Sequence, residues 1–400
     1  TYRFPDGSAV IIGSRFWGEL LYTNLETGRH GTLFPRSASE FFAGSAMYVP
    51  GPITAEATFR RGAGGEVTGL TWTERGKPAR SGARAPLVEE EVSFAGAAVP
   101  LAGTLIRPEG PGRFPAVVVL GGSNWDVRGS IRRDAEIFAA LGVAALIYDK
   151  RGYGQSGGDP TVPFRTTAED AAAAVRHLRG RPDILADQIG LTGTSRGGWF
   201  APLAASISDD ASFLVLFVPP AVSPAEQETT RRLNRMRDEG ADESAIELAG
   251  DLLERTWAYA RTGEGWQEYL DLRRRAVEVG VPDYVFETDS PDPEAWEWVR
   301  LNMHYDPIPA LETLRIPVLA LFGGADRNVD PEINEPRMRA ALERAGNGDF
   351  ELVVLPGADH GLRLSRDGGP VPLHRTIGFA PGRWSTVRTW LVAHLPGLRG

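Results

Sequence analysis

Residues 188–206 read QIGLTGTSRGGWFAPLAAS and pass from an apolar run through Gly193-Thr194-Ser195-Arg196-Gly197 into a stretch of helical character. A strand, a Gly-x-Ser-x-Gly turn and a helix in that order form the context of a nucleophile elbow. Small residues on both sides of the serine let strand and helix approach closely. The serine then projects at the carboxyl edge of a sheet, with a helix N-terminus behind it to stabilise developing negative charge. The bare pentapeptide is a weak signal, because glycine and serine are common in turns. The strand before it and the helix after it make an ordinary turn the poorer reading.

Outward from this turn, short apolar runs alternate with helical patterns. PAVVVL (115–120), VAALIY (143–148), QIGLTG (188–193), SFLVLFV (212–218), IPVLALF (316–322) and FELVVL (350–355) have the unbroken apolar character of parallel strands buried on both faces. A Thr-x-x-Glu capping box at Thr166 and Glu169 predicts a helix start, with Ala171, Ala174, Val175 and Leu178 on one face. This alternation implies an open α/β sheet. VEEEVSF and VPLAGTLIRP, within 88–108, predict an antiparallel hairpin at its edge.

Two regions stand apart. Residues 1–87 read as a small all-β domain with turns at Asp6-Gly7 and around GAGG, ending in a Gly-, Pro- and Arg-rich linker, RGKPARSGARAP. From Ser223 to Tyr305 the strand rhythm stops and helical, aromatic-rich sequence follows, with Trp257, Tyr259, Trp266, Tyr269, Tyr284, Phe286, Trp296 and Trp298. Asp242 is placed to cap one helix carrying Ile246, Ala249, Leu253 and Trp257. An insertion after that strand sits over the carboxyl ends of the sheet, where open α/β sheets bind ligands. We read 223–305 as a helical lid, with a purely stabilising subdomain as the plainer alternative. The catalytic domain is then 88–222 together with 306–400.

A nucleophilic serine needs a base and an orienting acid, which in this architecture follow in the order Ser, Asp or Glu, His. Asp326 lies just past one strand in ALFGGADRNVDPE, and His360 just past the next in VVLPGADHGL. Of the six histidines, His177 and His394 fall on helical patterns, His30 in the β unit and His304 at the end of the insertion. His374 is the one serious rival, but it follows no strand. Asp330, before Pro331, reads better as a helix cap than as the acid. Asp359 adjoins the histidine, too near in sequence to stand behind its ring. For the oxyanion we expect the amide of Arg196 and one from the loop Gly121-Gly122-Ser123-Asn124-Trp125, Ser123 first and Gly122 next. Asn124, Trp125, Trp199 and Trp257 are expected in the substrate pocket. The aromatic insertion leads us to expect a largely apolar acyl pocket, against a counter-reading in which Arg196 and other charges select an anionic substrate. Gly152-Tyr153-Gly154-Gln155-Ser156-Gly157 matches a dinucleotide fingerprint, yet Pro160 and Pro163 follow where a helix must open, so nucleotide binding is rejected. No metal-binding motif and no cofactor is implied.

These blocks together resemble a known family. FPAVVVLGGSNWDVRG, YDKRGYGQSGG, IGLTGTSRGGWFAPLAA, VLALFGGADRNV and LPGADHG are similar to the bacterial carboxylesterase and acylaminoacyl-peptidase-like branch of the α/β hydrolases, over roughly 88–398. The resemblance implies an α/β-hydrolase fold with a mostly parallel sheet. It matches Ser195, Asp326 and His360 to the triad, and Ser123 and Arg196 to the oxyanion positions. The family usually has His-Gly at Gly121-Gly122 and often Gln, Met or Glu at Arg196. Both departures alter the polarity beside the serine.

Composition bounds the rest. There are 52 acidic and 43 basic residues, for a net charge of −9, which disfavours nucleic acid as a partner. No apolar run approaches the ~18 residues of a membrane-spanning helix. Cysteine is absent, which excludes disulfides, thiolate metal sites and cysteine catalysis. A cysteine-free chain suits reducing and oxidising compartments equally, so none is assigned. The chain opens on Thr1 and not on methionine, and a preceding segment is expected. The expected function is a serine esterase acting on a small acyl substrate through an acyl-enzyme. Thioesterase, amidase or peptidase activity on the same triad, and a non-hydrolytic cyclase or binding protein on the same fold, are the alternatives. Neither substrate nor oligomeric state is legible.

Overall fold

A computed structural model of the chain describes residues 1–14, 19–365 and 376–398. Its first eight strands are β1 (Tyr2–Arg3), β2 (Ala9–Ser14), β3 (Leu20–Asn24), β4 (His30–Pro35), β5 (Glu40–Ala43), β6 (Ala55–Arg61), β7 (Val67–Glu74) and β8 (Arg80–Arg84). They form a closed antiparallel barrel in sequence order, because β1 pairs with both β2 and β8. Closure removes the exposed strand edges that so small a sheet would otherwise present. Val10, Tyr22, Leu33, Leu70 and Trp72 fill its interior. Part of the stretch read as a linker is therefore a strand: Arg80–Arg84 carries few apolar residues but supplies the backbone hydrogen bonds that close the barrel.

The second sheet has eight strands: β9 (Leu87–Ala95), β10 (Pro100–Pro108), β11 (Phe114–Leu120), β12 (Ala144–Tyr148), β13 (Ile184–Thr194), β14 (Phe213–Phe217), β15 (Val318–Gly323) and β16 (Phe350–Leu355). Their order is β16-β15-β14-β13-β11-β12-β10-β9, parallel from β16 to β12, with β10 and β9 an antiparallel edge hairpin. The helices are α1 (Arg132–Ala140), α2 (Phe164–Arg179), α3 (Gly197–Ser206), α4 (Pro224–Asp238), α5 (Glu243–Thr262), α6 (Trp266–Glu278), α7 (Glu297–Asn302), α8 (Ile308–Leu311), α9 (Pro331–Arg344) and α10 (Arg383–His394). Alternate strand residues serve opposite faces, as the pleat requires. Val118, Leu214, Leu216 and Phe322 pack with α2, α3, α8 and α9, while Val117, Val119, Val215 and Leu321 pack with α1 and α10. β16 departs from the buried-strand expectation: Val354 is 43% exposed, because an edge strand has a neighbour on one side only.

Helices α4 to α8 lie between β14 and β15. Met236, Ile246, Leu252, Leu253, Trp257, Tyr269 and Trp296 give the inserted helices a core of their own. A short ribbon, β17 (Arg363–Ser365) and β18 (Thr376–Phe379), ties the barrel to the second sheet: Phe379 N–H donates to Gly28 O and Met47 N–H to Thr376 O. Arg133 of α1 adds donors to Ile11 O and Thr23 Oγ1.

The capping box at Thr166 is not what opens α2. The helix begins two residues earlier, after Pro163, and the Phe164 amide donates at 2.8 Å to Asn302 Oδ1 of α7. A distant side chain thus takes the place of a local cap. The Gly152–Gly157 run forms a turn and no helix start: Gly152 N–H donates to Gly157 O, and Asp149 Oδ2 accepts from Gln155 N–H. Beside it Arg151 makes a two-point pair with Asp170 of α2, at 3.0 and 2.8 Å, with both residues buried. Arg151→Met is expected to cost about 3–5 kcal/mol, since it strands a buried carboxylate without its cation. Urea denaturation checks this; a loss under about 1 kcal/mol would show that the pair contributes as little as a surface one.

Candidate active site

The elbow is built by close backbone approach. A Cβ at Gly193 would lie 2.1 Å from Gly197 O, and one at Gly197 2.3 Å from Leu120 O, so neither position tolerates a side chain. Ser195 itself has φ +54°, a strained value for a residue with a Cβ and one that marks functional turns. Its amide is held by Phe217 O at 3.0 Å. The serine thus stands at the carboxyl end of β13, ahead of α3.

The structure brings together the three residues that the sequence pointed to. Ser195 Oγ donates to His360 Nε2 at 3.0 Å, and His360 Nδ1 donates to Asp326 Oδ2 at 2.8 Å. The buried carboxylate sets the tautomer: it accepts from Nδ1–H and leaves Nε2 free to accept from the serine. Asp326 is 2% exposed, and its other oxygen accepts from the amides of Asn328 and Val329 at 2.8 and 3.0 Å. The rivals are occupied elsewhere. Asp330 caps α9 through Glu332 N–H at 3.0 Å. Asp359 accepts from the Gly361 and Arg363 amides and pairs with the Arg363 guanidinium. His177 stacks on Phe94, His304 Nε2 meets Trp257 O, and His394 meets Asp349. His374 lies outside the described residues.

Gly122 closes over the serine, since a Cβ there would sit 3.4 Å from Ser195 Cβ. Among the described residues, the amides of Ser123 and Arg196 donate to no other group of the chain. Asn124, at φ +63°, turns the loop in the left-handed conformation that asparagine tolerates. The sequence reading missed what braces this loop. Lys150 Nζ donates to Gly122 O at 2.9 Å and pairs with Asp126 at 3.1 Å. Its place just past β12 in the YDKRG run was the one available signal. Burial pulls the Lys150 ammonium down to about 8, with Asp126 opposing. Lys150 is thus charged and fully able to hold the carbonyl below about pH 8, and that hold weakens as pH rises through 8. For stability the sign is reversed: the burial penalty on the cation is present below pH 8 and is relieved above it. If the Gly122–Ser123 loop supplies an oxyanion donor, kcat/KM should fall above about pH 8. Lys150→Met should lower kcat/KM at pH 7 by roughly tenfold, a fraction of an oxyanion-donor loss, and should abolish that alkaline limb. A pH–rate profile with the same limb in the variant would refute the assignment.

Ser195 and His360 line a cavity of about 1240 Å³. Ser123, Asn124, Trp125 and Trp199 line it. Trp199 is nearly buried, and its Nε1–H donates to Val222 O at 3.0 Å, which fixes the chain entering the inserted helices. Trp257 is not part of the lining: it sits in the core of the insertion and its Nε1–H donates to Thr229 Oγ1. The insertion reaches the cavity instead through Trp298, Val299 and Met303 and through Glu228, Arg231, Arg232 and Glu287. The expected apolar pocket is therefore corrected to a mixed one. Helical spacing cannot say which face of α4 turns inward, and there the charged face does.

A family model described as X-Pro dipeptidyl-peptidase (S15 family) matches residues 96–360. Among curated relatives, esterase EstD of Thermotoga maritima is 26% identical over 281 residues, which cover 68% of this chain and 60% of that protein. Thiohydrolase aneE of Aspergillus aculeatus is 35% identical over 121 residues, covering 30% and 38%. The chain thus spans less than two thirds of the length of these relatives. Among solved structures, an esterase of Pyrococcus furiosus aligns with a TM-score of 0.49 at 19% identity, covering 77% of this chain and 92% of that one. Among the described residues no helix is long and apolar enough to cross a membrane. With a family match over more than half its length, on a mostly parallel sheet with a serine elbow, this chain belongs to the X-Pro dipeptidyl-peptidase (S15) family of α/β hydrolases.

Proposed function

We propose that the protein is a serine hydrolase that cleaves an acyl ester through a covalent acyl-enzyme on Ser195. One observation carries this reading: the unbroken hydrogen-bonded line from Asp326 through His360 to Ser195, beside two uncommitted amides at the floor of a large cavity. Ser195 Oγ attacks the carbonyl as His360 Nε2 takes its proton. The Ser123 and Arg196 amides, with the α3 N-terminus behind them, receive the oxyanion. His360 then protonates the leaving alcohol, and water, activated by the same nitrogen, releases the acid. Asp326 holds the ring and stabilises the imidazolium without itself becoming protonated. The inserted helices act as a lid in this reading, which Glu228, Arg231, Trp298 and Met303 support by lining the cavity. A fluorophosphonate probe tests the reading directly, because only an activated serine reacts. Stoichiometric labelling at Ser195 is expected, and failure of the folded protein to label would overturn it. The resemblance to thiohydrolases makes matched ester and thioester substrates the next comparison.

A further inference from the structure

Among the described residues seven arginines line the cavity: Arg132, Arg133, Arg196, Arg231, Arg232, Arg363 and Arg383. Six have a carboxylate within ion-pair distance. Arg132 and Arg133 meet Glu136, Arg231 and Arg232 meet Glu228, Arg363 meets Asp359 and Arg383 meets Asp134. Arg196 has none. The acidic groups that face it are committed elsewhere: Asp126 is held by Lys150, and Glu228 by Arg231 and Arg232. Its guanidinium lies 5.0 Å from the centre of the Trp298 ring of α7.

This is an unusual state for a partly buried arginine. Burial lowers its affinity for a proton, yet a guanidinium stays charged at any physiological pH. Taking an ion out of water costs several kcal/mol unless a counterion and hydrogen bonds offset it, and an aromatic face supplies only part of that. Packing against the indole also restricts the guanidinium's orientation, and among the described residues no hydrogen bond uses its N–H edge. That edge carries a fork of donors shaped for a carboxylate.

We propose that Arg196 is a specificity-determining residue that binds a carboxylate on the acyl portion of the substrate. The proposal rests on the serine-hydrolase reading above. The leaving alcohol must lie against His360, which protonates it, and the carbonyl oxygen must lie at the Arg196 amide. The Arg196 side chain runs from that point to Trp298 of the inserted helices, so it is the acyl chain that meets it. The natural substrate class is then a monoester of a dicarboxylic acid, or an equivalent carboxylate-bearing acyl ester.

Mono(4-nitrophenyl) glutarate and 4-nitrophenyl pentanoate differ only in a terminal carboxylate for a methyl group, and their kcat/KM ratio is the readout. The wild-type protein should prefer the glutarate at least tenfold. Arg196→Gln should bring the ratio to about one or below, and Arg196→Lys should keep part of it. Because the ratio is internal to each variant, a general loss of activity does not imitate the effect. Should Arg196→Gln fold poorly, the wild-type protein still decides: glutarate should inhibit pentanoate hydrolysis competitively and glutaramide should not. A wild-type ratio near or below one, a ratio unchanged in Arg196→Gln, or equal inhibition by glutarate and glutaramide overturns the proposal. Fluorophosphonate labelling separates the two readings. A labelled Ser195 without anion preference defeats the role of Arg196 alone, whereas an unlabelled Ser195 defeats the chemistry beneath it.

Discussion

Ser195→Ala is expected to lower kcat for an activated ester by on the order of 10⁴-fold or more, as removal of a triad nucleophile does, and to leave the free energy of unfolding within about 1 kcal/mol of wild type. The two halves of that expectation have different origins. The loss of rate follows from geometry: Ser195 Oγ is the atom 3.0 Å from His360 Nε2, and no neighbouring hydroxyl can replace it at the tip of a turn whose flanking glycines admit no rearrangement. The intact fold follows from what alanine removes. The hydroxyl packs no core, and the backbone bond from the Ser195 amide to Phe217 O remains. Alanine also relieves none of the φ +54° strain, so a large gain in stability is not expected. Steady-state kinetics on purified protein, with a denaturation curve beside it, decides the matter. A folded variant that retains wild-type turnover removes Ser195 from the mechanism.

Asp326→Asn is the next largest effect, and about 10⁴-fold in kcat is the scale set by the equivalent change in a serine protease triad. The environment of the carboxylate explains why asparagine fails in either orientation. One oxygen accepts from His360 Nδ1, and the other from the amides of Asn328 and Val329. An asparagine NH₂ turned to the histidine asks Nδ1 to accept, which moves the ring proton to Nε2 and denies the serine its base. An NH₂ turned the other way confronts two amide donors in a buried site. Asp330→Asn serves as the control. Asp330 caps α9 through Glu332 N–H, and asparagine caps helices about as well as aspartate, so activity and stability should change little. If Asp330→Asn proves the damaging substitution, the acid has been placed on the wrong residue.

Much of this was legible in the chain. Ser195, Asp326 and His360 were readable because each follows an apolar strand at the carboxyl edge of the sheet, and strand periodicity is local information. The mostly parallel sheet was readable for the same reason: runs such as AVVVL and VLALF are too uniformly apolar for a strand with one wet face. Where the reading fell short, the deciding partner was remote in sequence. Arg80–Arg84 looked like a linker because Ala83 is the one apolar residue in RSGAR; it is a strand only because β1, about eighty residues earlier, needs a neighbour to close the barrel. The start of α2 was misplaced by two residues because its orphan amide is met by Asn302, |i−j| = 138 away.

The same distinction separates the chemistry of the site from its selectivity. The hydrogen-bonded line from Asp326 through His360 to Ser195 is set by residue type and order along the chain, since each side chain stands just past a strand of the sheet. What the cavity prefers to bind is set by which charges in it find partners, and a partner is a fact of tertiary packing. Arg231 and Arg232 of α4 pair with Glu228 one turn away, Arg232 also with Glu287, and Lys150 neutralises Asp126 between two loops. The chain carries 43 basic residues, and nothing in their spacing distinguishes Arg196. Among the described residues it becomes distinct only when folding has supplied the other cavity arginines with carboxylates and left this one, beside Ser195, with a tryptophan face.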